Sequence, residues 1–344
     1  MTHELLKIIK SYKIAKETKT KTVLATVVDL KGSSYRRPGV RMLITEKGTV
    51  TGAVSGGCVE KEIIRQTTHV FSTGKSVIMT YDGRYRLGCE GILYILLEPF
   101  EPSDRFLACF DDFLKNRKAF SLQIYYNLNL SEKGEGYTQF KFDESGIFPV
   151  APIHFNPDLT NDKTFSQVFK PLLRLVIIGA EHDAVQLCSM ASLMGWEVWV
   201  IASEQDPRTL LNFPGASKLV NTDATTFKAS IIDQQTAVVL MTHSFVSDLK
   251  YLYKLKDVAP CYMGLLGPSA RREKLLDHFI EQYPEEKTTF FDQIYGPAGL
   301  HLGAETPQEI AVSILAEMLS VVRRVLPVES LKNKKGPIHK DIRC

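Results

Sequence analysis

No run of about 18 apolar residues occurs in the 344-residue chain, so no helix is expected to span a bilayer. Neither sign of charge is in excess. The 42 Lys and Arg face 39 Asp and Glu, a formal net charge of +3, too even to argue for nucleic acid or an acidic membrane. The opening Met-Thr-His-Glu-Leu-Leu-Lys lacks the basic start, apolar middle and small-residue cleavage site of a secretory signal. Cysteine is sparse: its six copies stand apart at 58, 89, 109, 188, 261 and 344, with no CxxC pair. That spacing argues against zinc-type and redox-type motifs and sets the expectation of a reduced, cytoplasmic protein. Any special cysteine has to be argued singly.

One such cysteine follows a turn in Thr51-Gly-Ala-Val-Ser-Gly-Gly-Cys-Val-Glu60. A short apolar strand ends at Ser55-Gly56-Gly57, and helical periodicity starts at Cys58 with Val59, Ile63 and Ile64. The thiol is thus expected in the first turn of a helix, where free N–H groups and the helix dipole favour an anion and lower a thiol pKa. The ordinary alternative is a small buried residue after a tight turn.

Two further loops of the same kind flank it. Residues 4–17 read as an amphipathic helix and Thr22–Val28 as a strand. The strand delivers the chain to Lys31-Gly-Ser-Ser-Tyr-Arg-Arg-Pro-Gly39, rich in hydroxyls, arginines and turn formers. A hairpin is expected across Glu46-Lys47-Gly48, and a strand at Ser76–Thr80 leads to Asp82-Gly-Arg-Tyr-Arg-Leu-Gly-Cys-Glu-Gly91 before the strand Ile92–Leu97. Three strand-fed loops could converge on one sheet edge and offer guanidiniums, amides and two thiols. That set suits a phosphate-bearing ligand that also needs a soft contact. Taken one at a time, Arg36, Arg37 and Arg41 would read as solvated turn charges.

A helix (Asp104–Phe113) and strands (Ser121–Tyr126, Tyr137–Phe142) complete a first domain over 1–150. Residues 151–171, with Pro152, Pro157 and Pro171, show neither period and read as a linker. From Leu172 an apolar run ending at Gly179 starts a β–α alternation to about residue 330, the rhythm of a Rossmann-like, doubly wound parallel sheet. A basic tail follows from 331 to 344. The fold class is therefore α/β: a mixed α/β front domain and a Rossmann-like second domain.

The dinucleotide fingerprint of that second domain is damaged. Where G-x-G-x-x-G should stand the chain has Gly179-Ala-Glu-His-Asp-Ala184, and a carboxylate at the second glycine obstructs and repels a pyrophosphate. Other groups gather at expected strand ends: Thr242-His243-Ser244 with Asp248, then Gly267-Pro268-Ser269 with Arg271 and Arg272. Ser269 is expected to be an N-cap of an anion-binding helix start. His243 reads as a base, a ligand contact or a hydrogen-bonded core histidine. Thr306-Pro-Gln-Glu309 is a capping box with Pro at the first helical position, and the apolar face it starts reads as core or dimer contact.

Three runs in the first half, Gly32-Ser-Ser-Tyr-Arg-Arg-Pro-Gly-Val-Arg-Met42, Ser55-Gly-Gly-Cys-Val-Glu60 and Leu87-Gly-Cys-Glu-Gly91, resemble the N-terminal domain of the XdhC/CoxI family. Met241-Thr-His243, Tyr262-Met-Gly-Leu-Leu-Gly267 and Gly303-Ala-Glu-Thr-Pro-Gln-Glu-Ile-Ala311 resemble its Rossmann domain. The resemblance implies an accessory protein for xanthine dehydrogenase-type molybdenum hydroxylases. Such a protein binds the molybdenum cofactor (molybdopterin), protects it while a cysteine desulfurase drives sulfuration, and hands it to the apo-enzyme. It implies Cys58 and Cys89 as thiols at the metal, and Arg36, Arg41 and the glycine turns at the pterin phosphate. The full cofactor-binding set is Ser34, Arg36, Arg41, Gly56, Gly57, Cys58 and Cys89, with Gly179, His182, His243, Gly267 and Ser269 in the second half. Glu181 departs from the family's Gly-Ala-Gly-His turn, and His301 stands where the family tends to have Asp. A homodimer is expected and no catalytic residue is assigned. The competing class is an NAD(P)-dependent oxidoreductase built on the Rossmann domain.

Overall fold

The central strand of the first half is apolar on both faces, and the fold covers both. The computed structural model describes residues 2–32, 37–55, 57–83, 91–128, 134–151, 163–284 and 289–333. The chain divides into two compact units between Pro171 and Leu172.

The first unit starts with α1 (Thr2–Glu17) and β1 (Thr22–Lys31). There follow β2 (Arg41–Thr45), β3 (Val50–Gly52), α2 (Cys58–Thr73), β4 (Val77–Asp82) and β5 (Ile92–Pro99). The five strands form an antiparallel sheet in the order β3-β2-β1-β5-β4. Alternate side chains go to opposite faces. Val23, Ala25 and Val27 pack with Val59, Ile63 and Val70 of α2, while Leu24, Val28 and Leu43 join Leu5, Ile8 and Ile9 of α1. The second face also carries α3 (Asp104–Lys115) and a smaller antiparallel sheet. That sheet is β6 (Phe120–Tyr126), β7 (Gly136–Phe142), β8 (Gly146–Pro149) and β9 (Lys163–Phe169), ordered β8-β7-β6-β9. Phe106, Phe110, Phe120, Phe140, Phe142 and Phe169 interlock between them.

Part of the expected linker is therefore structured. Residues 163–169 pair with β6 along their whole length, Lys163 opposite Tyr126 and Phe169 opposite Phe120. Prolines and asparagines upstream hide the strand, and only Phe165, Gln167 and Phe169 alternate inward.

The second unit is doubly wound. It comprises β10 (Arg174–Ile178), α4 (His182–Leu193), β11 (Glu197–Ala202), β12 (Lys218–Asn221), β13 (Thr236–Leu240) and α5 (Phe245–Leu255). These lead to β14 (Tyr262–Leu265), α6 (Ser269–Gln282), α7 (Thr289–Asp292), β15 (Ile294–Tyr295) and α8 (Pro307–Val322). The sheet is parallel, in the order β12-β11-β10-β13-β14-β15. Helices α4 and α8 cover one face through Ala184, Leu187, Ile314 and Met318. Helices α5 and α6 cover the other through Leu252, Leu255, Leu275 and Phe279. Strand order reverses between β10 and β13, which is where open α/β sheets take ligands. Among the described residues no helix is long and apolar enough to cross a membrane.

Candidate functional site

The register of the first sheet brings the strand ends that flank three connections to one end of the sheet. Lys31 at the end of β1 and Asp82 at the end of β4 both stand opposite Ile92 at the start of β5. Arg41 opens β2 opposite Thr26, and Gly52 closes β3 opposite Met42. The connections 32–40, 53–57 and 83–91 therefore leave the sheet at the same end. Backbone bonds pinch two of them at their bases: Gly39 N–H to Val27 carbonyl at 2.8 Å, and Gly83 N–H to Gly91 carbonyl at 3.0 Å.

The middle loop ends at the start of α2. Gly57 is the N-cap, at φ 82, a left-handed conformation that glycine adopts without strain, and no side chain caps the helix. Among the described residues, a Cβ built on Gly57 meets no atom within 4 Å. Among the described residues no side chain caps these first amides, which a helix start leaves without intrahelical partners. Glu60, in the first turn, reaches back so that its Oε1 accepts the Ser55 N–H at 2.6 Å, while its buried Oε2 has no partner among the described residues. The Gly57–Cys58 step fits a phosphorylated ligand by this measure.

Arg41 is buried at 8% exposure. Its Nη1 donates to the Gly39 carbonyl and to Gln167 Oε1, both at 2.7 Å, and its guanidinium lies 5.4 Å from the centre of the Phe169 ring. Nε and Nη2 have no partner among the described residues. Burial pulls this guanidinium down to about 10. Arg41 thus ties the end of the 32–40 loop to β9, and Gly39 is needed there: at φ 98, an added Cβ would lie 3.0 Å from Phe165 and 3.2 Å from Gln167. Lys163 of β9 pairs with Asp29 at 2.9 Å near the same end of β1. Sequence reasoning passed over Gln167 and Lys163 because β9 was hidden. It passed over Glu60 because a carboxylate in a first helical turn is ordinary.

Ser34, Arg36, Gly56 and Cys89 lie outside the described residues, and Cys58 is described only as the first residue of α2. Among the described residues, no group of three or more His, Cys, Asp or Glu could hold a metal ion. Of the other cysteines, Cys188 is a core residue whose thiol burial pushes up to about 11.

In the second unit the remaining candidates stand at the carboxyl ends of strands. Gly179, at φ 131, makes the turn after β10 possible, since a Cβ there would lie 2.2 Å from the Met241 carbonyl oxygen. His182 is exposed at the start of α4. His243, after β13, takes a left-handed φ of 56, and its Nε2 lies 3.3 Å from Asp183 Oδ2. That contact joins the β10 and β13 turns across the strand-order reversal and rules out the core-histidine reading, since the His243 side chain is 48% exposed.

Ser269 is not an N-cap. Pro268 holds that position, with no side-chain cap, and Ser269 is the first helical residue. The fixed φ of proline, here −68 with ψ 160, places the extended residue one step earlier than the serine suggested. Gly267, at φ 117, leaves room for Arg271, whose Cδ would be 2.8 Å from an added Cβ. The two first-turn arginines are both engaged. Arg271 pairs with buried Asp248 at 2.7 Å, which also accepts from Thr242 Oγ1 at 2.6 Å, and Arg272 donates to the Phe291 carbonyl. The anion reading of this turn therefore rests on its backbone amides.

Residues 15–82 match the model of the XdhC and CoxI family, and residues 175–318 match that of the XdhC Rossmann domain. The chain is 30% identical over 343 residues to a probable xanthine dehydrogenase subunit of Bacillus subtilis (strain 168), covering 91% of this chain and 96% of that protein. It is 26% identical over 305 residues to the molybdenum cofactor insertion chaperone PaoD of Escherichia coli (strain K12), covering 87% and 83%. A crystal structure of a protein from Bacillus halodurans, described as a xanthine dehydrogenase, superposes with a TM-score of 0.74 at 27% identity, over 94% of this chain and 97% of that one.

Proposed function

Because this chain belongs to the XdhC and CoxI family, we propose that it binds the molybdenum cofactor and delivers it to a xanthine dehydrogenase-type molybdenum hydroxylase. The observation that supports this reading is that the strands flanking three connections end at one end of a sheet, beside a glycine-capped helix whose first residue is Cys58. The cofactor is cargo, and it supplies the dithiolene-bound metal and the phosphate that the loops would grip. The open amides at Gly57 and Cys58 would take phosphate oxygens. Cys58 and Cys89 would contact the metal or its exchangeable ligand, with Ser34 and Arg36 beside them. Arg41 would hold the first loop in place from within.

In this reading the chain shields the cofactor while a cysteine desulfurase serves as sulfur donor, then passes it to the apo-hydroxylase. It acts in the cytoplasm, as a homodimer, without turnover of its own. The E. coli relative, a molybdenum cofactor insertion chaperone, supports the class of activity. Activation of a molybdenum-free hydroxylase tests it. Cofactor-loaded chain is expected to restore hydroxylase activity faster, and in air more completely, than the same amount of free cofactor. Equal activation by free cofactor would remove the delivery role.

A further inference from the structure

We infer that Glu181 and Arg208 close the first turn of the second unit to the pyrophosphate of a dinucleotide, and that Glu181 is the residue that decides it. A dinucleotide on a sheet of this order enters at the reversal between β10 and β13, with its pyrophosphate on the start of the helix after the first strand. The turn that would receive it is otherwise intact, since Gly179 keeps its positive φ and its close approach to the Met241 carbonyl. Glu181 is the extended N-cap of α4, yet its side chain caps nothing in that helix. It turns instead to Arg208, Oε1 to Nη2 at 3.1 Å.

Arg208 is itself bolted down. Its Nε and Nη2 donate to the two oxygens of Asp206 at 2.8 and 2.6 Å, and its Nη1 donates to the carbonyl of Ala180 in the turn itself. The segment carrying Asp206 is anchored in turn by Asn221, whose Nδ2 donates to the Ser203 and Asp206 carbonyls at 3.3 and 3.1 Å. All three guanidinium nitrogens are therefore occupied at the mouth of the phosphate turn. One cation faces two carboxylates there, so the local charge is negative, and an arriving pyrophosphate would meet repulsion as well as a filled seat. Glu181 is the weakest member. Its side chain is 58% exposed against 8% for Asp206, so losing it should leave the fold intact while removing one of the two carboxylates at the turn and the bulk beside its amides.

Calorimetric titration of the full chain with ADP-ribose, and with NADH, tests this. Wild type is expected to bind no tighter than about millimolar, and Glu181→Gly at least about tenfold tighter. Glu181→Gln, which removes the charge but keeps the bulk, should fall between them. Arg208→Ala should gain nothing, because the carboxylate stays. Wild-type binding as tight as that of Glu181→Gly would overturn the inference. So would a lack of gain in both Glu181 variants at unchanged melting temperature, or a gain in Arg208→Ala equal to that of the glycine variant.

Discussion

Single residues here answer to burial more than to charge. Glu98 is 2% exposed and accepts from the N–H and hydroxyl of Thr138. Burial raises its carboxyl from 4.5 to about 7, against the hydrogen bonds to Thr138 and the pull of Arg41. The folded state thus holds a proton on Glu98 that the unfolded chain releases near 4.5. The stability gained from that proton is complete below 4.5 and is lost as pH rises through about 7. Glu98→Gln carries no such titration. Relative to wild type it is expected to gain on the order of 2 kcal/mol between about pH 5 and about pH 8, in denaturant melts at each pH. A difference that stays constant across that range would contradict the assignment. On the surface, at Glu181 and Arg208, charge decides instead. The carboxylate in the phosphate turn was visible in the sequence, but its partner lies 27 residues away beyond β11 and only the fold joins them.

At the scale of elements, legibility followed the strength of local signals. The capping box at the start of α8 forms as its residues imply. Thr306 Oγ1 accepts the Glu309 N–H at 3.3 Å, and Glu309 Oε2 accepts the Thr306 N–H at 3.0 Å. Thr306→Ala is expected to cost about 1 kcal/mol of stability, read as a lowered denaturation midpoint at unchanged slope; no change would mean the helix end is held by packing alone. The apolar face of α8 goes into the core against α4, through Ile314 and Met318. Strand β9 was illegible because its seven residues carry only one clear alternation and follow a proline-bearing stretch. Strand β12 was missed for a related reason: its four residues, Lys-Leu-Val-Asn, are half-exposed at a sheet edge and too short for a period to emerge.

At the scale of the whole molecule, the first unit holds two antiparallel sheets and the second one parallel sheet, and the described candidate groups stand near strand ends. In the first, the antiparallel register alone is enough to bring the strand ends that flank 32–40, 53–57 and 83–91 to one end of the sheet, although they are far apart in the chain. The motifs in those loops were legible, and their common edge could be stated beforehand only as a possibility, because strand order is not written locally. The support beneath the first of them, Arg41 on Gln167, joins residues 126 apart in the chain and no spacing announces it. In the second unit the parallel, doubly wound class was legible from apolar runs, whereas the contact of Glu181 with Arg208 was not.

The central claim is that the glycine-capped start of α2 grips a phosphorylated, metal-bearing pterin. Its most direct measure is molybdenum and pterin content per chain after anaerobic purification from cells making the cofactor, for wild type and Cys58→Ala. The account expects cofactor on wild type and a loss of most of it from Cys58→Ala at unchanged melting temperature. Equal molybdenum on both proteins would contradict it.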